Sequence, residues 1–189
     1  MSSSPYLVDS NVLISAHRVH YPFNTRMFHL FWQTLEQAAS DGKLLMLDVV
    51  YDELVPRQTP ITARDLLAHW TEAVFGDKIL TRKTDAILDA YVEVQDYLVT
   101  CKCYQPPAVD LWSEESKADP WLIAAAKVLG AIIVTDERMD RPTPKQPIKK
   151  EPKIPDVASA FDVQTCTTRQ LLDDTRLFKA STYPIQPSF

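Results

Sequence analysis

Apolar positions along the chain alternate between short unbroken runs and stripes that recur at three- and four-residue steps. That is the pattern of strands interleaved with amphipathic helices. Tyr6-Leu7-Val8 is an apolar run that ends at Asp9, and Ser10 is placed to cap a helix carrying Val12, Leu13 and Ala16 inward. Phe28, Phe31, Trp32, Leu35 and Ala39 predict a longer helix, stopped at Gly42. Leu44-Leu45-Met46-Leu47 reads as a second strand, followed by a helix capped by Asp48 and carrying Val49, Val50, Glu53 and Leu54. Further helices are expected over residues 62–75 and from Thr84 through Leu98, with a short strand at Ile79-Leu80 between them and a linker at Pro106-Pro107. Asp119-Pro120 opens a helix over 121–129, with proline where its missing N–H costs nothing, and Gly130 stops it. Residues 131–135 form the clearest buried strand.

Residues 138–155 hold five prolines and predict an irregular loop. Asp156 opens a short helix, 163–166 a last strand, and Thr168 caps a final helix. The alternation predicts one α/β domain, a parallel sheet with helices on both faces, over residues 1–175, with a tail at 176–189.

Composition narrows the class. Of 189 residues 46% are hydrophobic and 24% charged, which is the balance of a globular chain. No apolar run approaches the ~20 residues that span a bilayer, and Met1-Ser2-Ser3-Ser4-Pro5 lacks a basic, cleavable leader, so a cytoplasmic location is the expectation. Cys101, Cys103 and Cys166 are too few and too irregularly spaced for a disulfide framework or a thiolate metal site. The net charge is −5, which is not that of a protein that coats nucleic acid. The loop from Arg138 to Lys153 nevertheless carries +4 against −9 for the remainder. Its Lys149 and Lys150 are candidates for steering a phosphate backbone, and a merely solvated loop is the alternative.

Ligand sites in such sheets form at the carboxyl ends of the strands. That rule selects Asp9, Glu53, Asp119, Asp136 and Glu137. Each also has an ordinary reading: Asp119 as a helix cap, Glu53 on a solvated helix face, Asp136-Glu137 as loop polarity. Acids gathered at one edge repel one another, and a hard divalent cation such as Mg²⁺ or Mn²⁺ removes that cost while leaving positions open for phosphate oxygens and water. The three glycines form no phosphate-cradling loop. Phe28, Phe31 and Trp32 are read as core; any exposed part of that helix becomes a candidate partner surface.

Four segments carry a resemblance. Asp9-Ser10-Asn11-Val12-Leu13-Ile14, Val50-Tyr51-Asp52-Glu53-Leu54, Ala118-Asp119-Pro120-Trp121-Leu122-Ile123 and Ile133-Val134-Thr135-Asp136-Glu137 resemble, in order, the four acidic motifs of PIN domains. His20-Tyr21-Pro22-Phe23 and Lys153-Ile154-Pro155-Asp156-Val157 resemble a bacterial or archaeal branch related to VapC-type toxins. The resemblance implies an endoribonuclease that binds Mg²⁺ or Mn²⁺, is blocked by a cognate antitoxin and forms a homodimer. It implies Asp9, Glu53 and Asp119 as site acids and Asn11 and Thr135 as supporting polar groups. The last acid falls on Glu137 by spacing, with Asp136 beside it and Asp156 as an extra. Two other classes compete. One is a PIN fold kept for protein interaction without turnover. The other is a phosphatase of the haloacid-dehalogenase type, against which Asn11 stands where a second Asp is needed.

Overall fold

All three residues of β1 (Tyr6–Val8) are buried, because β1 lies inside a four-stranded parallel sheet. Its neighbours are β2 (Leu44–Leu45), β3 (Ile132–Val134) and β4 (Thr165–Cys166), in the order β2-β1-β3-β4. The computed structural model describes residues 4–56 and 64–174. The expected helix start at Thr62 and the tail at 176–189 lie outside the described residues. Tyr6 pairs with both Leu44 and Ile132, and Val8 with Val134. Strands β1 and β3 therefore end at the same level, and the residues after them, Asp9 and Thr135, emerge side by side.

The sheet is flanked by helices. These are α1 (Ser10–Ser15), α2 (His29–Ser40), α3 (Asp48–Leu54), α4 (Leu66–Phe75), α5 (Asp85–Thr100), α6 (Pro106–Trp112), α7 (Ala118–Leu129), α8 (Ile154–Ser159) and α9 (Thr168–Asp173). A π-helical turn, Ala16–His20, extends α1. Among the described residues no helix is long and apolar enough to cross a membrane.

Helix α7 is the innermost. Ala118 to Ala126 are all buried, so it is covered all round rather than on one stripe. It packs on α5, where Tyr91 and Trp121 stack at 3.7 Å. The helix ends at Gly130, whose φ of +61° is a left-handed conformation that favours glycine. On α2, Phe31 and Trp32 are buried as expected; Trp32 stacks on Phe23 at 4.0 Å, and its indole N–H donates to the Tyr21 carbonyl. Met27, in the turn before α2, and Leu30, on α2, are 81% and 69% exposed.

Several helix starts differ from expectation by one to three residues, for one reason. The residue expected as the cap lies inside the helix, and an earlier residue has the extended backbone that caps. Asp9 rather than Ser10 caps α1, and Thr167 rather than Thr168 caps α9 through a reciprocal bond with Gln170. Asp119 is the second residue of α7, and Asp156 the third of α8. Pro106-Pro107, expected as a linker, opens α6, since proline is tolerated in a first turn. The Ile79-Leu80 strand reduces to a single bridge between Leu80 and Leu47.

Candidate active site

Asp9 continues the β1–β3 ladder by donating its N–H to the Val134 carbonyl at 3.1 Å. Its side chain is only 1% exposed. One carboxylate oxygen accepts the Asn11 N–H at 3.3 Å, and the other accepts the Thr135 hydroxyl at 3.2 Å. Thr135 is also buried, and its oxygen accepts the Glu137 N–H at 3.3 Å. One threonine thus ties the acid after β1 to the acid beyond β3.

Asp119 reaches the same place from α7. Because α7 is buried on every side, its first turn is carried into the protein and Asp119 is left 6% exposed. Its carboxylate makes no capping bond. Instead it lies 3.1 Å from the Lys117 ammonium, which also pairs with Glu151. Glu137 accepts from the Lys153 ammonium and from the Ile154 N–H, each at 2.8 Å, one on each oxygen.

The electrostatics record how close these groups are. Burial, then the charge of Asp119 and, after the Asn11 N–H, that of Glu137 push the Asp9 carboxyl up from 3.8 to about 7, against the relief from its two hydrogen bonds. Asp119 is raised to about 6: burial outweighs the attraction of Lys117, and Glu137 and Glu151 add repulsion. Burial alone would lower Lys117, but Asp119 and Glu151 reverse this and raise it. Lys153 is raised chiefly by its bond to Glu137. Asp9, Asp119 and Glu137 are therefore the oxygen donors this edge offers to a cation. Among the described residues no three carboxylate, imidazole or thiolate groups already close around a single point.

The other expected site residues fall into three places. Glu53 is exposed on α3 and accepts the hydroxyl of Ser10, the residue after Asp9, at 2.5 Å. The Asn11 side chain is exposed. Lys149 and Lys150 are exposed on the loop. Asp136, expected as an alternative metal ligand, is turned away: its oxygens accept the N–H and hydroxyl of Thr168 at 2.8 and 2.6 Å and so fasten α9 to β3. Asp156 accepts the N–H groups of Asp140 and Arg141 at 2.8 and 3.0 Å, anchoring the loop rather than joining the acids. Sequence reasoning missed Lys117; it met Glu151 only in the charge of the loop, and Lys153 only there and in the segment Lys153–Val157 that carries the family resemblance. The available signal was Lys117 two residues before Asp119, with no apolar role of its own.

The family model described as "Domain of unknown function (DUF4411)" matches residues 6–178. The chain belongs to the DUF4411 family. No curated protein and no solved structure matches it. The match begins at the first residue of β1 and takes in every strand and every acid of the candidate site, so the DUF4411 unit and this domain coincide.

Proposed function

We propose that this chain is a metal-dependent endoribonuclease with a PIN-like domain, hydrolysing RNA phosphodiester bonds as the toxin of a toxin–antitoxin pair. The observation that carries the reading is Asp9. It is a carboxyl at the end of a central strand, almost fully buried and beside two further acids, and among the described residues no ion pair reaches it. A protein keeps so costly an arrangement where a cation is to be bound.

The donor set fits Mg²⁺ or Mn²⁺, since it consists of carboxylate oxygens with one of them uncompensated. Asp9 and Asp119 would hold the ion, with Glu137 completing the set. When bound, such an ion supplies Lewis acidity toward the phosphate and the attacking water. Thr135 fixes the rotamer of Asp9, and Ser10 holds Glu53, which can accept a proton from water. Lys149 and Lys150 draw the RNA backbone toward the acidic edge. The exposed apolar side chains of Met27 and Leu30 are the surface we assign to a cognate antitoxin, with a second copy of the chain as the other occupant.

A second reading, an interaction module without turnover, is favoured by one observation: both Glu137 oxygens already have partners. One experiment separates the two. Wild-type protein with single-stranded RNA and Mg²⁺ or Mn²⁺ should give defined cleavage products that EDTA abolishes, and Asp9→Asn should give none. Expression of the wild type, but not of Asp9→Asn, should arrest growth of a bacterial host. Intact RNA with both metals, or equal cleavage by the variant, refutes the nuclease reading.

A further inference from the structure

Two lysines stand inside the acidic edge, at helix starts that their side chains do not cap. Lys117 is the N-cap residue of α7 and Lys153 that of α8, and neither makes a side-chain capping bond. A lysine is a poor choice at both positions. It cannot accept from the free N–H groups, and its charge opposes the positive end of the helix dipole. Both side chains are withdrawn from solvent, 26% and 30% exposed. Both ammonium groups sit on site carboxylates, Lys117 at 3.1 Å from Asp119 and Lys153 at 2.8 Å from Glu137.

We propose that Lys117 and Lys153 are the phosphate-binding pair of this site. They rest on Asp119 and Glu137 in the metal-free protein and turn to the phosphodiester of the RNA once a divalent cation occupies those carboxylates. The inference rests on the nuclease reading and adds to it the residues that contact the substrate.

The charges are consistent with such an exchange. Fully ionised, Asp9, Asp119, Glu137 and Glu151 against the two lysines leave two negative charges, which is the charge of one divalent ion. With that ion in place the acids, the lysines and the ion sum to zero, so the approaching phosphodiester brings the next negative charge and the ammonium groups are drawn toward it while staying within the same cluster. A lysine suits the transfer. It is a compact charge with three donors on a flexible four-carbon stem, and swinging from a carboxylate to a nearby phosphate breaks no backbone structure. Lys149 and Lys150 differ in kind, because they lie exposed on the loop and act at longer range.

The test uses the full chain and a fluorescein-labelled single-stranded RNA with Ca²⁺ as the ion, read by fluorescence anisotropy across a salt series. Lys117→Met and Lys153→Met should each weaken RNA binding about tenfold and lower the salt slope by about one phosphate contact. Lys117→Arg and Lys153→Arg should restore most of the binding, which also controls for misfolding. Mn²⁺ affinity without RNA, read by electron paramagnetic resonance, should be unchanged or tighter in the methionine variants. If wild type cleaves RNA while the methionine variants bind RNA as it does, the lysine assignment alone is overturned. Weakened Mn²⁺ binding with unchanged RNA binding also overturns it, since the lysines would then only position the acids. A wild type that neither binds nor cleaves overturns the nuclease reading and this assignment with it.

Discussion

Asp9→Asn should make the metal-free protein more stable at neutral pH, although it removes a residue of the proposed active site. Asparagine nearly matches the shape of aspartate and carries no charge; its Oδ1 can still accept the Asn11 N–H, and its amide N–H can donate to the Thr135 hydroxyl oxygen. The Asp9 carboxyl moves from 3.8 to about 7 on folding, a little over three pH units, with burial as the largest cause. At 1.36 kcal/mol per unit, ionised Asp9 costs the fold up to about 4 kcal/mol. Part of that is shared with Asp119, so about 2–4 kcal/mol is the working range. The sign follows from proton binding. The folded state holds the Asp9 proton more tightly, so the group's contribution is full below about pH 4, is lost as pH rises to about 7, and stays lost above. The variant should therefore match wild type near pH 4 and exceed it at pH 8 in EDTA. For a domain of this size the excess is roughly 4–16 °C in Tm. Thermal unfolding by circular dichroism across pH reads it directly. Saturating Mg²⁺ at pH 8 should raise the wild type but not the variant, closing the gap. A variant less stable than wild type by the same amount at pH 4 and pH 8 would refute the argument, because a missing hydrogen bond, not a relieved charge, would then be the difference.

Other consequences are more local. Thr135→Val removes the hydroxyl that joins Asp9 to the Glu137 N–H; it should cost about 1–3 kcal/mol in urea unfolding and shift the acid limb of the cleavage pH profile upward. Asp156→Ala leaves the Asp140 and Arg141 N–H groups without their acceptor; limited trypsin digestion should then cut after Arg138 and Lys145 faster than in wild type, with little change in metal affinity. Replacing both Lys149 and Lys150 by Gln should leave Tm within about 1 °C and lower the salt slope of RNA binding by about 1.4, as expected for two lost contacts to a single strand.

The parallel α/β architecture was legible because burial follows apolar runs, and the runs at Tyr6-Leu7-Val8 and Ile132-Ile133-Val134 have no other use. The rule that sites lie at carboxyl strand ends then located Asp9, and the register of Val8 on Val134 places Thr135 beside it. What the sequence left open was direction. Asp136 and Glu137 are adjacent, and in an extended segment adjacent side chains point to opposite sides. One must therefore face away, and spacing alone favours Glu137 without showing what takes Asp136. The structure supplies that partner, Thr168, thirty-two residues along the chain. A contact across that separation leaves no local periodicity to read.

Asp119 shows the reverse case, where the ordinary local reading does not describe the helix start. An acid before proline at the start of a helix is an ordinary cap, and that reading would have made Asp119 structural. Capping needs an extended backbone at the acid itself, and here that conformation belongs to Lys117, two residues earlier. The helix has begun by the time it reaches Asp119, so its carboxylate is not the cap; it pairs with Lys117 and lies near enough to Asp9 and Glu137 for their charges to act on one another. The same shift puts a lysine where a capping acceptor would stabilise the helix. A helix start that gives up its cap in this way loses about 1 kcal/mol, and two such starts, α7 and α8, meet at one group of acids. Loss of the same local stabilisation at both, for the same residue type, argues that the lysines are kept there for what they can reach.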